Sequence, residues 1–348
     1  MRAPNSTRPG TPPTASGTLT RLAYARARAA RIDLDPVLTA TNLTLSQIED
    51  SNARVLVRDQ IRFLNCVAGE LQDDLLGFHL ALMPDLREIG WLYYVSASSD
   101  TMGEGLQQGA RYTSIVNEGV SLRWIEGKEI ALRMQYVGVS RHRDRQQIES
   151  IATLLVRLCR QLTGLALVPT RVQFMHSRKD VTPEFVTFFG GNLQFGATAD
   201  EVVFQTMFKN TPVLTADPYL HKLLITHCEE ALSRRGACSG AFRSGVENAI
   251  APLLPHGKAR AGEIARRLGM SQRTFARRLS SEGLTFSDVL NDLRADLARR
   301  HLDDRSLSIS EIAWLLGYQE VSAFTHAFRR WTGKSPREAR SHISEKRQ

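Results

Sequence analysis

Hydrophobic positions recur at helical spacing along most of the chain and alternate in one central stretch, which predicts an α+β region followed by an all-helical one. A short basic helix is expected over 19–31. Asp35 then serves as a cap and Pro36 as the first helical residue of the next segment. Val57, Ile61, Leu64 and Ala68 share one face of a helix over 55–71, and Gly77 to Ala81 closes this opening helical region. The run Trp91, Leu92, Tyr93, Tyr94, Val95 favours a strand or a buried segment. Thr101 with Glu104 forms a capping box for a helix over 102–110. Leu122 to Ile125, a turn at Glu126-Gly127, and Ile130 to Tyr136 predict a β-hairpin. Ile148, Ile151, Leu155, Leu158 and Leu162 mark a long helix over 145–163. A strand over 172–175, a helix over 183–189, a strand over 202–204 and a helix over 219–234 opened by Asp217-Pro218 complete this part. Residues 236–240 read as a linker.

Beyond the linker one phrase is written twice. Glu263-Ile264-Ala265-Arg266-Arg267-Leu268-Gly269 returns 48 positions later as Glu311-Ile312-Ala313-Trp314-Leu315-Leu316-Gly317. Arg273, Phe275, Arg277 and Leu279 are echoed by Ser322, Phe324, His326 and Phe328 at an offset of 49, so the second copy has the longer turn. Each copy reads as helix, glycine turn, helix, the helix-turn-helix layout. Ile264, Ala265 and Leu268, like Ile312, Ala313 and Leu316, form the buried stripe of the first helix, and Gly269 and Gly317 suit a left-handed C′ position. Ser271 is placed to cap the second helix of copy one. Ser308 and Glu311 make a capping box for the first helix of copy two.

In each second helix two apolar residues four positions apart, Phe275 with Leu279 and Phe324 with Phe328, fix the inner face. The outer face then carries Arg273, Ala276 and Arg277 in copy one, and Ser322, His326, Arg329 and Arg330 in copy two. Arginine so placed pairs with guanine O6 and N7 in the major groove, while serine and histidine read more permissively. One such face alone is an ordinary solvated surface; duplication of the whole unit favours DNA reading. A connecting helix over 285–302, with Phe286, Val289, Leu290, Leu293 and Leu297 at helical spacing, spans roughly 26 Å at about 1.5 Å per residue. That compares with about 34 Å between successive major-groove faces.

This stretch resembles the DNA-binding domain of the AraC/XylS transcription regulators. The resemblance rests on Gly317-Tyr318, Ser322-Ala323-Phe324-Thr325-His326-Ala327-Phe328-Arg329-Arg330-Trp331, Gly333-Lys334-Ser335-Pro336 and Arg340, and covers roughly residues 245–342. His326 stands where the family usually has Arg, and Ala339 where an aromatic residue usually precedes Arg340; a neutral His cannot form the Arg fork. The preceding region resembles the arabinose-binding-like amino-terminal domain of one branch of that family. It does so through Gly77-Phe78-His79-Leu80-Ala81, the stretch from Gly90 to Thr101-Met102-Gly103-Glu104-Gly105-Leu106, Phe195-Gly196-Ala197, and Ala216-Asp217-Pro218-Tyr219-Leu220, over roughly residues 34–220. The resemblance implies binding of a small effector, dimerisation, promoter DNA as partner, and contact with RNA polymerase.

Composition adds a basic bias. The formal net charge is +9, and residues 241–348 hold 19 Lys and Arg against 12 Asp and Glu, which fits a polyanionic partner. Anionic membranes would accept the same charge. No apolar run reaches the length of about 20 residues that spans a bilayer. Cys66, Cys159, Cys228 and Cys238 show neither C-x-x-C nor zinc spacing, which points to a reduced cytoplasmic setting. The Pro-, Ser- and Thr-rich stretch 1–18 reads as a disordered tail. The expected organisation is therefore a tail (1–18), an α+β effector-binding and dimerisation domain (19–235), a linker (236–244) and a double helix-turn-helix domain (245–342).

Other chemistry is weaker. Gly103-x-Gly105-x-x-x-Gly109 misses the dinucleotide fingerprint and falls inside a capped helix. His227-Cys228-Glu229 lacks a third ligand at helical spacing. Arg141, His142, Arg143 and Arg145 suit either an anion site or a solvated loop. Trp91, Tyr93, Tyr94 and Trp124 suit either an effector pocket or plain core. No cofactor, metal or catalytic residue is expected, and no effector residue can be named from sequence. The expectation is an effector-controlled transcription regulator, an activator rather than an enzyme. Two rivals are an architectural DNA-binding protein with little sequence preference and a repair methyltransferase, whose clustered zinc cysteines these scattered ones do not supply.

Overall fold

The computed structural model describes residues 12–178, 180–233, 241–282, 284–303 and 307–345. The chain divides into two compact units, residues 1–241 and 242–348.

The first unit opens with strand β1 (Thr14–Ala15), then α1 (Thr18–Ala29), α2 (Asp35–Thr41) and α3 (Leu45–Glu49). Strand β2 (Val55–Leu56) pairs antiparallel with β1 and runs into α4 (Val57–Glu70), followed by α5 (Leu76–Leu82), α6 (Trp91–Ser98) and α7 (Met102–Val116). The hairpin β3 (Val120–Glu126) and β4 (Glu129–Tyr136) comes next, then α8 (Gln146–Thr163) and β5 (Arg171–Phe174). After α9 (Pro183–Phe189), β6 (Leu193–Phe195) and β7 (Asp200–Gln205), the unit ends in α10 (Pro218–Ser233). The sheet order is β3-β4-β7-β5-β6, antiparallel except for the β5–β6 pair.

Alternation dictates the sheet's inner face: Ile130, Leu132, Met134 and Tyr136 of β4 are all buried, as a period of two requires. The apolar stripe of α8 supplies Ile148, Leu155, Leu158 and Leu162 to the same core. Phe78, Phe174, Phe185 and Phe189 lock together there, with Phe78–Phe185 centroids 5.1 Å and Phe185–Phe189 centroids 4.9 Å apart. Each such ring removed from water contributes about 2 to 3 kcal/mol.

Several expectations are corrected. The run from Trp91 is helical, because Tyr93 and Ala97 bury together one turn apart while Trp91 and Tyr94 face outward. A neighbouring helix makes that burial possible: a Cβ on Gly105 of α7 would stand 2.9 Å from the Ser96 carbonyl oxygen, so the two backbones touch. α7 itself runs to Val116, beyond the expected end. Only half of the Thr101/Glu104 box forms; Thr101 accepts from the Glu104 amide, but Glu104 accepts from the Asp100 amide. The last part of the expected tail is ordered. Thr14 donates to Glu118 from its amide (2.9 Å) and hydroxyl (2.8 Å), and Arg54 Nε donates to Thr14 Oγ1 at 2.7 Å. Polar composition signals exposure, whereas β1 is held by residues far along the chain. Residues 236–240 of the expected linker lie outside the described residues, and from Ala241 the chain is already helical.

The second unit is built from α11 (Ala241–Ile250), α12 (Ala261–Arg267), α13 (Gln272–Ser281), α14 (Phe286–Asp303), α15 (Ile309–Leu315), α16 (Val321–Thr332) and α17 (Pro336–Glu345). It has two cores. Ile264, Ala265, Phe275, Leu279, Val289 and Leu293 belong to one, and Ala298, Leu302, Ile312, Leu316, Phe324 and Phe328 to the other. The connecting helix α14 is thus shared, its first half in one core and its second half in the next. α17 went unanticipated, although Ser335 and Glu338 spell its capping box: the Ser335 amide donates to Glu338 at 2.6 Å and the Glu338 amide to Ser335 Oγ at 3.3 Å.

Candidate nucleic-acid interface and ligand cavity

The two helix-turn-helix copies turn in the same way. The Gly269 amide donates to the Arg266 carbonyl (3.0 Å) and the Met270 amide to Ala265 (2.9 Å); the Gly317 amide donates to Trp314 (2.8 Å) and the Tyr318 amide to Ala313 (2.9 Å). Both glycines are left-handed, with φ of 68° and 77°, the backbone that such a helix end needs. Ser271 Oγ accepts from the Thr274 amide at 3.2 Å, which starts α13. Ser308 and Glu311 form the full capping box of α15.

These turns aim α13 and α16. Phe275, Leu279, Phe324 and Phe328 are at most 1% exposed. Arg273, Ala276 and Arg277 on α13, and Ser322, His326, Arg329 and Arg330 on α16, are all exposed. Basic residues elsewhere on the first copy are engaged locally. Glu263 accepts from Arg266 at 2.8 Å and from Arg267 at 3.1 Å, and Arg278 lies 4.5 Å over the Phe242 ring. Arg273 and Arg277 make no ion pair or hydrogen bond among the described residues. The first copy therefore sorts its arginines: those off the outer face hold the fold, and those on it remain available to a partner. Sequence reasoning missed Arg294, which donates from Nε to the Leu316 carbonyl (3.0 Å) and lies 4.5 Å over the Tyr318 ring. It ties α14 to the second turn.

The Arg141 cluster divides: Arg143 is exposed, as a solvated loop expects, Arg145 pairs with Asp74 at 2.7 Å, and Arg141 is buried. Arg141 is 3% exposed and forks onto Asp200, Nε to Oδ2 at 2.5 Å and Nη2 to Oδ1 at 2.7 Å. His176 joins it: Arg141 Nη2 donates to Nδ1 at 3.0 Å, and Nε2 faces Glu149 Oε1 at 2.7 Å. That pattern fits a neutral imidazole carrying its proton on Nε2, and burial pushes the His176 pKa below its ordinary value. Arg178 completes the Glu149 pairing at 2.8 Å. A buried, paired guanidinium fixes the fold and leaves no anion site. Likewise Cys228 is buried, and Glu229 accepts from the Tyr112 hydroxyl at 2.5 Å, which removes this triplet from candidate chemistry.

The first unit contains a cavity of about 850 Å³, walled by residues from β1, α1, α4, α6, α7, β3 and α8. Trp91 and Tyr93 line it; Tyr94 and Trp124 do not. Its volume falls in the range of small-molecule sites, about 300 to 1,000 Å³.

Two helix-turn-helix units behind an α+β unit define a transcription regulator. The chain belongs to the AraC transcription regulators: the family model described as the arabinose-binding domain of AraC transcription regulator, N-term, matches residues 32–213, and a helix-turn-helix domain model matches residues 264–342. The chain is 26% identical over 285 residues to the HTH-type transcriptional regulator VirS of Mycobacterium tuberculosis, covering 81% of this chain and 83% of that protein. It is 27% identical over 273 residues to the ornithine utilization regulator of Pseudomonas aeruginosa, covering 76% and 78%. The crystal structure of transcriptional regulator CdpR from Pseudomonas aeruginosa aligns with a TM-score of 0.41 at 20% identity, over 88% of this chain and 96% of that chain. Among the described residues no helix is long and apolar enough to cross a membrane.

Proposed function

We propose that this regulator is a sequence-specific, cytoplasmic activator of transcription that reads promoter DNA with α13 and α16 and answers to a small molecule held in the cavity of its first unit. The observation that carries the reading is the outward pair Arg273 and Arg277, free of local partners, repeated on a second helix by Ser322, His326, Arg329 and Arg330. In this reading Arg277 reads guanine, while Arg329 and Arg330 contact phosphate. The first unit also supports a homodimer, and the DNA-bound regulator contacts RNA polymerase. Domain limits follow: effector domain to about residue 235, DNA-binding domain from about residue 242.

Competition binding of the full chain to a site library, followed by footprinting at the selected promoter, tests this. A preferred site protected over bulk DNA is expected, with a log-log salt slope of about −5 to −7 if 6 to 8 phosphates are neutralised. Equal binding to all sequences would replace this reading with the architectural one.

A further inference from the structure

Helix α8 turns one stripe of residues to the cavity. Gln147, Ser150, Ile151, Leu154, Leu155 and Leu158 all belong to the wall, at the three-and-four spacing of a single helix face. Five polar side chains of the wall are buried: Gln60, Ser96, Thr113, Gln147 and Ser150. Four of them are satisfied within the protein. Thr20 Oγ1 donates to Gln60 Oε1 (3.0 Å), Gln60 Nε2 to Gln147 Oε1 (2.6 Å), and Gln147 Nε2 to the Tyr136 hydroxyl (3.1 Å). Ser96 Oγ donates to the Gly105 carbonyl at 3.0 Å and Thr113 Oγ1 to the Gly109 carbonyl at 2.7 Å.

Ser150 is the exception. It is 1% exposed, and its hydroxyl has no hydrogen-bond partner among the described residues. The other two hydroxyls of α8 bond back along the helix, Thr153 to the Glu149 carbonyl and Thr163 to the Cys159 carbonyl, each at 2.7 Å. That is the usual resort of a hydroxyl inside a helix. The carbonyl that Ser150 would use belongs to Gln146, and α5 lies against it: a Cβ on Gly77 would stand 1.9 Å from that oxygen. A buried hydroxyl on the cavity-facing stripe thus keeps both its donor and its acceptor capacity.

The charged wall residues are engaged elsewhere or open to solvent. Arg21 donates to the Ser16 carbonyl (3.1 Å), the Asp50 carbonyl (3.3 Å) and Thr18 Oγ1 (3.1 Å). Arg54 donates to the Thr14 and Ile115 carbonyls and pairs with Glu118. Asp85 is held by Arg87 Nε at 2.8 Å, and Glu88 is exposed. Among the described residues, then, no buried charge of the wall awaits an opposite one. An ionic head entering here would lose its water without a counter-charge to replace it, a loss that a neutral oxygen largely escapes.

We propose that the cavity takes an uncharged, largely apolar molecule whose single oxygen, that of an alcohol or a ketone, hydrogen-bonds to the Ser150 hydroxyl. Its body lies along Leu106, Leu154 and Leu158, which are wall residues. The proposal rests on the reading of this cavity as the effector site and narrows the effector to one chemical class. The hydroxyl donates to a ketone oxygen or accepts from an alcohol.

Isothermal titration of the full chain with decanol, methyl octyl ketone, decanoate and decylamine tests this, because the four share a ten-carbon skeleton and differ in head. At pH 7 decanoate is an anion and decylamine a cation. Decanol and the ketone are expected to bind at least about tenfold tighter than the two ions. Ser150→Ala should weaken both by about three- to tenfold, the contribution of one neutral hydrogen bond. The same variant should leave the melting temperature of the ligand-free chain unchanged or raised, since no partner is lost. Emission of Trp91, a wall residue, should respond to decanol, and Trp91→Phe should remove the response. Decanoate or decylamine binding as tightly as decanol, with the Trp91 response intact, would overturn the uncharged class and leave the cavity as a ligand site. A lower melting temperature in Ser150→Ala would show that the hydroxyl already serves the fold, and an unchanged decanol affinity would detach the ligand oxygen from it; either overturns the proposal. Absence of binding by all four would overturn both the proposal and the reading of the cavity.

Discussion

A Cβ on Gly317 would stand 2.4 Å from the carbonyl oxygen of Leu254. The turn of the second helix-turn-helix copy is therefore pressed against the segment that precedes the first, and the two cores are joined there as well as through α14. Gly269, its counterpart in copy one, has the same left-handed backbone but nothing within 4 Å of its Cβ position. Gly269→Ala should cost about 1 to 2 kcal/mol, the left-handed penalty alone. Gly317→Ala adds overpacking and should cost about 3 kcal/mol or more. Urea denaturation of both variants checks the difference; equal losses would mean that the Leu254 contact relaxes freely.

Arg277 and His326 occupy equivalent outward places on α13 and α16, but only arginine offers a two-pronged donor. Arg277→Ala should lose about 1 to 3 kcal/mol of site binding and relax a guanine preference at one position. His326→Ala should cost less, and His326→Arg should raise affinity through an added guanine or phosphate contact. A site-library competition reads all three. A larger change of base preference in His326→Ala than in Arg277→Ala would make α16 the main reader.

The repeat was legible because its chemistry is local. Glycine turns, serine caps and apolar pairs four residues apart each determine a few residues of backbone, and the same set was written twice. The sheet hairpin and α8 were legible by period for the same reason. Arg141 was not, since its partner Asp200 lies 59 positions away and nothing nearby marks it as buried. The run from Trp91 was ambiguous because a helix buried on two sides has no clean period. The cavity was invisible because Ala15, Gln60, Tyr93 and Gln147 come from four separate elements, β1, α4, α6 and α8.

The neutral His176 makes stability pH-dependent. Its folded pKa is depressed by burial, so the unfolded chain binds the proton more readily. Stability from this group is full above the ordinary value of about 6.5 and falls as pH drops from there toward the lower folded pKa. Urea midpoints of the wild type should decline between about pH 7 and pH 5.5, and His176→Gln should flatten the decline. Asp200→Asn tests the same network by charge: it leaves Arg141 buried beside a neutral partner and should cost about 3 to 5 kcal/mol at pH 7. A pH profile unchanged in His176→Gln would assign the decline to the carboxylates.

The segment just before α1 is short, yet several groups depend on it. Thr14 occupies Glu118 with two donors, and Arg54 donates from Nε to Thr14 Oγ1 and from Nη2 to the Thr14 carbonyl at 3.0 Å. Ala15, 3% exposed, packs into the main core, and Ala15 and Ser16 also form part of the cavity wall. Removing residues 1–17 would strip β2 of its partner strand and leave the Arg54 and Glu118 side chains with fewer hydrogen bonds. At about 1 to 3 kcal/mol for each buried polar group left unpaired, the truncation should lower stability by about 2 to 4 kcal/mol. Thr14→Val isolates the hydroxyl, keeping the strand while deleting one donor to Glu118 and one acceptor for Arg54, and should cost about 1 kcal/mol. Thermal unfolding of both proteins decides the matter. If the truncated chain melts with the wild type, β1 is an ornament on the unit and its hydrogen bonds are replaced by water without loss.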